Sequence, residues 1–330
     1  MKNTIIICVA KDGLQDFQSI SEALIYASKH QNDYIIISIS NGVYKEKLWI
    51  NQANITLLGE DKDKTIIEYD DYANFIMEDG EKRGTFRTPT VFVDCNDFTA
   101  KNITFSNSSG PGPKVGQALA LYVDGDRIIF ENCKFLGGQD TLFAAPLPPT
   151  AFEKNGFRGP KEFEPRLHGR HYYKNCYICG DVDFIFGGGT CYFDECELFS
   201  NNIGKKVNGY VAAPSTGEGK HGFVFNRCKF TSDCPKNSVY LARPWRNHGK
   251  VVILNSYIGK HIKEEGFDDW GKVDARETVY FAEYGNFGEG AKLNNRVSWS
   301  KVLTEEEALH YTKEEILGFD CYKGVDIRSE

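Results

Sequence analysis

Two short acidic motifs hold most of the chemistry in this 330-residue chain: Gly137-Gly138-Gln139-Asp140-Thr141-Leu142 and Gly180-Asp181-Val182-Asp183-Phe184-Ile185-Phe186-Gly187. The first sets an amide donor directly before a carboxylate. The second places a carboxylate inside an apolar run, where a charge is costly unless something pairs with it. Two carboxyls in unlike environments can divide acid and nucleophile roles. The ordinary account of Asp140 is a turn Asp bonding its own backbone. Asp183 resists that account and calls for a cation. Arg243, in Leu241-Ala242-Arg243-Pro244-Trp245, is the candidate, although a turn with a structural salt bridge reads the same way. Trp245 is either core or an aromatic face for a sugar ring.

Other chemistries find less support. There is no Gly-x-Ser-x-Gly elbow, phosphate-cradling loop or dinucleotide fingerprint. His168, His171, Cys176 and Cys179 have a spacing that superficially suits zinc. An extended strand would set Cys176 and Cys179 on opposite faces, so no metal site is assigned. The formal charge of −7 argues against a nucleic-acid partner, and a polyanionic substrate would need a locally basic cleft. No apolar run is long enough to span a bilayer.

The elements that must position these residues read as strands. Glycine is common, with 32 residues, and the 17 Tyr and 23 Phe suit tight turns between aromatic-rich strands. A turn motif recurs: Asn102-Ile103-Thr104-Phe105, Asn132-Cys133-Lys134-Phe135, Asn175-Cys176-Tyr177-Ile178, Glu195-Cys196-Glu197-Leu198, Arg227-Cys228-Lys229-Phe230 and Asn255-Ser256-Tyr257-Ile258. Irregular repeats of this size predict coils of a β-solenoid. A propeller of the WD40 kind is the competitor, but no Gly-His/Trp-Asp pairing recurs. The fold class expected is all-β, a single right-handed parallel β-helix over residues 1–330.

Each Cys of the repeat shares a strand face with the residue two positions on, as a small buried residue would. Free buried thiols and no evident leader peptide lead to a cytoplasmic expectation, with the opening stretch Met1 to Ala10 as the first strand. Residues 17–29 predict a capping helix, with Ser19 to Glu22 as a capping box. Residues 304–317 predict a C-terminal helical segment whose apolar side is Ala308, Leu309 and Tyr311. Residues 144–170, with five prolines, predict an irregular excursion above the solenoid face. Its basic residues Lys154, Arg158, Lys161, Arg166 and Arg170 outnumber its acids, which suggests contacts with free carboxylates.

Gly42-x-Tyr44-x-Glu46, Gln117-Ala118-Leu119-Ala120-Leu121, Gly138 to Leu142, Asp183 to Gly187 and Arg243-Pro244-Trp245 occur in order. Together they resemble the pectin methylesterases, over most of the chain. The resemblance implies a β-helix with an open cleft, no cofactor and no metal. It implies Asp183 as nucleophile, Asp140 as acid then base, Gln117 and Gln139 as oxyanion donors, and Arg243 as partner of Asp183. Trp245 and Phe186 would line sugar subsites. The implied partner is pectin or a methylated oligogalacturonide, acted on by a monomer without nucleic acid or membrane. A β-helix glycosidase or lyase acting on pectin, or a non-catalytic carbohydrate-binding solenoid, are the alternatives. Two departures stand out: the long 144–170 insertion, and Asp181, where the family often has Thr or Ala. An acid at 181 either disturbs the electrostatics or points outward by strand alternation.

Overall fold

The computed structural model describes residues 2–321; residue 1 and residues 322–330 of the expected single domain lie outside the described residues. Strands follow one another around three parallel sheets of eleven, seven and eight strands, and each strand pairs with its counterpart in the next coil. This is the parallel β-helix expected. The apolar runs Ile128 to Phe130, Val224 to Phe225 and Val251 to Leu254 lie in the strands Ile128–Glu131, Phe223–Asn226 and Lys250–Leu254, and of Val279 to Phe281 all but Val279 lies in Tyr280–Tyr284.

The recurring turn has a backbone reason. Asn102, Asn132, Asn175, Glu195, Arg227 and Asn255 all sit at φ between 49° and 56°. Asparagine tolerates this left-handed conformation better than most residues. Its amide also bonds the next coil: Asn132 donates to Asn102 at 2.7 Å and Asn175 to Asn132 at 3.2 Å. Where the ladder lacks Asn, an Arg227–Glu195 ion pair at 3.4 Å takes over. Cys133, Cys176, Cys196 and Cys228 point inward, free and buried. Their thiols also donate to carbonyls of the preceding coil, as Cys196 does to Tyr173 at 3.4 Å. Beside them Phe130, Tyr173, Phe193 and Phe225 stack in register, with centroids 4.6–5.2 Å apart. Such contacts add about 0.5–1.5 kcal/mol each beyond area burial.

The ends depart from expectation in part. The helix Ile20–Ala27 buries Ile20, Ala23 and Ala27 over the N-terminal coil. Ser19 accepts from the Glu22 N–H, but it is the Glu46 carboxylate, not Glu22, that accepts from Ile20 and Ser21. The C-terminal segment is two helices, Glu305–Leu309 and Lys313–Leu317, not one. The first opens with a Thr304/Glu307 capping box yet buries nothing, and Leu309 is 68% exposed. Burial falls to Ile316 and Leu317, which pack with Tyr172 and Tyr192 on the flank of the eleven-stranded sheet. Trp299, against Phe267 and Phe281, covers the core there instead. Among the described residues no helix is long and apolar enough to cross a membrane.

Candidate active site

The seven-stranded sheet carries the site on its outer face, and its middle strand, Leu142–Ala144, follows directly from Asp140. On the adjoining strand, Val182–Gly187, the register shifts between Val182 and Ile185. Such an irregularity re-aims a side chain, and Asp183 sits within it at φ 52°. Asp140 is left-handed too, at φ 64°, and its N–H donates to Val182 O at 3.0 Å. Non-glycine residues in this region carry strain that persists only where the surroundings enforce it. Gln117 and Gln139 are joined by a parallel bridge, so all four residues come from three neighbouring coils.

Arg243 follows the next strand but one, Val239–Ala242. Its Nε donates to Asp183 Oδ1 at 2.8 Å and its Nη2 to Oδ2 at 2.6 Å. The guanidinium lies between two rings, 3.8 Å from the Tyr210 centroid and 3.6 Å from Trp270. That sandwich holds the fork in plane and supplies cation–π attraction. Burial raises the Asp183 carboxyl above its ordinary range, and Arg243 offsets only part of that rise. Asp140 rises well above the ordinary carboxylate range, through burial first and then the charge of Asp183, with Asp181 adding to it. The two environments push the pair apart, raising Asp140 further than the Arg243-paired Asp183 and so favouring the proton on Asp140.

These residues line one open groove of about 710 Å³, together with Phe186, Trp245 and Trp270. Trp245 is half-buried in its lining. Phe186 is buried in an aromatic cluster with Phe86, Phe143 and Trp245, and so meets the groove from below. The side-chain amides of Gln117 and Gln139 hydrogen-bond to no other protein group among the described residues and remain available as donors. Six basic residues, Lys82, Arg83, Lys154, Arg158, Arg243 and Arg246, line the groove against four acids, Glu81, Asp140, Glu153 and Asp183. The groove is thus locally basic on a net acidic chain.

The excursion between the strands Leu142–Ala144 and Arg170–Lys174 forms one wall, with Phe157 packed on Phe86 and Trp245. Most of its cations are engaged within the protein, contrary to the expectation from charge alone. Lys161 pairs with Asp94 at 2.5 Å, Arg170 with Asp126 at 2.6 Å, and Arg166 donates to the carbonyls of Lys161, Glu162 and Glu164. Only Lys154 and Arg158 face the groove, and Arg158 also pairs with Asp79 at 3.1 Å.

The zinc-like spacing disperses. His168 bonds Thr190, His171 bonds the Gly125 carbonyl, and Cys176 belongs to the inward stack. No cluster suited to a metal ion occurs among the described residues. Asp181 is buried and not outward-facing, because it precedes the strand and strand alternation does not reach it. Tyr210, Trp270 and Lys272 were not foreseen. Nothing in their local sequence marks them, since each meets the site only through coil stacking. Lys272 donates to the carbonyls of Pro244 and Trp245, and burial lowers its pKa to about 8.

The pectinesterase family model matches residues 6–147 and 166–320. The chain belongs to the pectinesterase family. It is 33% identical to Pectinesterase 31 of Arabidopsis thaliana over 94% of this chain and 92% of that one. It is 35% identical to a pectinesterase of Petunia integrifolia over 92% and 77%. Among solved structures, pectin methylesterase PemA from Erwinia chrysanthemi superposes with a TM-score of 0.78 at 29% identity, covering 94% of this chain and 96% of that one. Pectin methylesterase from carrot gives 0.80 at 28%, covering 94% and 92%. The stretch the family model skips, 148–165, falls within the excursion that forms this wall of the groove.

Proposed function

We propose that the chain removes methyl groups from methyl-esterified galacturonate units of pectin or pectic oligosaccharides, releasing methanol by way of an acyl-enzyme. The observation that carries the mechanism is the Asp183–Arg243 fork beside Asp140, whose carboxyl burial raises, and two unengaged amides. Ionised Asp183 attacks the ester carbonyl carbon, and the oxyanion falls to Gln117 and Gln139, each preorganised donor contributing about 3 kcal/mol. The tetrahedral intermediate collapses with cleavage of the acyl–oxygen bond, and Asp140 passes its proton to the departing methanol. Asp140, now ionised, takes a proton from water as that water attacks the Asp183 acyl carbon. Collapse frees the galacturonate carboxylic acid and restores Asp183 as carboxylate, and Asp140 ends protonated. One related pectin methylesterase has been solved in complex with a hexasaccharide, which supports a sugar chain lying along this groove over Trp245.

The competing β-helix chemistries cut glycosidic bonds, by a carboxyl pair placed around the bond or, in lyases, commonly with calcium. Incubation with methylated pectin separates the cases when methanol, new reducing ends and unsaturated products are followed in parallel. Methanol alone is expected. Reducing ends or unsaturated products would indicate glycosidase or lyase chemistry, and the absence of all three products would leave a binding solenoid. Repeating the assay on oligogalacturonates of graded length places the substrate as polymer or oligosaccharide, the latter being what a cytoplasmic site of action requires.

A further inference from the structure

The mechanism leaves one buried carboxylate of the opening motifs unused. Asp181 is 1% exposed, and its side chain crosses from its own coil to another. Oδ2 accepts from the main-chain N–H of Gly112 at 3.0 Å, and Oδ1 accepts from that of Val182 at 2.7 Å. Its own N–H donates to Gly138 O at 3.0 Å in the coil between. The path is cleared by two glycines. A Cβ at Gly138 would stand 3.2 Å from Asp181 Oδ2 and 2.8 Å from Gly110 O. One at Gly112 would stand 2.9 Å from Oδ1 and 2.6 Å from the Cβ of Gln139.

What the carboxylate holds is the turn ahead of Gln117. Gly112 opens a single helical turn, Gly112–Val115, closed by the Gly116 N–H donating to Gly112 O at 2.8 Å. Pro111, the residue before it, offers no side-chain cap. Gln117 follows at once, bridged to Gln139. Asp181 therefore ties together the three coils that carry Gln117, Gln139 with Asp140, and Asp183. Burying a carboxylate for this is costly unless its lone pairs are met, and here both oxygens accept main-chain N–H groups.

We propose that Asp181 is a positioning residue for the oxyanion site. By anchoring Gly112 it fixes the turn that delivers Gln117 and seats that turn against Gln139, so that the two amides converge at one spacing. The proposal rests on Gln117 and Gln139 being the oxyanion donors.

The test is a double-mutant cycle on the full chain with D181A, Q117A and the double variant, reading kcat and KM on methylated pectin, with thermal melts as control. D181A is expected to lower kcat tenfold or more while KM stays within about twofold. In the Q117A background the same change should cost less than twofold, because the amide it positions is already gone. D181N, which keeps an oxygen acceptor but loses one of the two bonds, should fall between wild type and D181A. If D181A melts below the assay temperature, D181N carries the same cycle. Unchanged kcat in D181A or D181N, or an equal loss with and without Gln117, overturns the positioning role. Full turnover in Q117A alone would instead remove the donor assignment, and the proposal with it.

Discussion

Among the bidentate Arg–carboxylate pairs of the described residues, the two most buried have opposite surroundings. Glu283 and Arg296, in the C-terminal coils, are 2% and 4% exposed. Arg296 Nε donates to Glu283 at 2.6 Å, and its other nitrogens reach the carbonyls of Lys263, Glu264 and Gly290. Glu283 also accepts from Asn286 and lies in the regular strand Tyr280–Tyr284. Asp183 and Arg243 make the same fork, yet Asp183 sits on strained backbone facing a groove, and aromatic rings, not carbonyls, cover the guanidinium. The first pair is saturated and structural. The second holds a buried carboxylate aimed at the lining of a groove. Reactivity here comes from what the pair lacks, not from the pair itself.

The sharpest way to break this contrast is Asp183→Asn, which should cut methanol release by about 10⁴-fold or more with the fold retained. Near-normal release with a native circular dichroism spectrum would end the nucleophile assignment. The pairs should then part under arginine removal. Arg296→Ala leaves Glu283 buried and unpaired and should cost about 3–5 kcal/mol of stability, with little change in the activity of the folded fraction. Arg243→Ala should cost less stability, because Asp183 can take up a proton beside the groove, but should reduce turnover on the order of 10²-fold. Urea titration alongside methanol release reads both, and equal profiles for the two variants would erase the distinction.

The smallest effect is in pH. The Asp140 carboxyl is raised in the folded state, so folding retains a proton that the unfolded chain has released. The stability this brings is present below the ordinary carboxylate pKa, about 4, and is lost as pH rises through the folded value. Asp140→Asn removes that loss. Its melting temperature relative to wild type should therefore climb from pH 4 to pH 8, and a constant difference across that range would place Asp140 in ordinary solvent-like surroundings.

The solenoid was legible because its turn imposes one left-handed residue per coil, and Asn102, Asn132 and Asn175 advertise that requirement. Asp183 and Asp140 were legible because each motif carries its anomaly locally, a carboxylate beside an amide or among apolar side chains. Tyr210 and Trp270 were not, because they reach Arg243 only through the stacking of coils far apart in sequence. Of the two alternatives for Asp181, the outward one fails because alternation governs residues within a strand and Asp181 stands just before one; the electrostatic one agrees with its upward push on Asp140. The cations of the excursion were misread because charge counting cannot see Asp94 or Asp126, whose coils pass beneath it. Leu309 looked like helix core, but the chain breaks its helix and gives the burial to Ile316 and Leu317.

The stacked coils also bear on how the protein comes apart. Each coil rests on its two neighbours, so opening should begin at an end and travel inward like a zipper. The strand that follows Asp140 is the fourth of seven in its sheet. Fraying from either terminus must release three strands of that sheet before it reaches the strand beside Asp140. The two sides are not equal for the reactive centre: Arg243 follows the edge strand Val239–Ala242, so fraying from the C-terminal side takes the partner of Asp183 first, while fraying from the N-terminal side reaches Asp140 only after three strands.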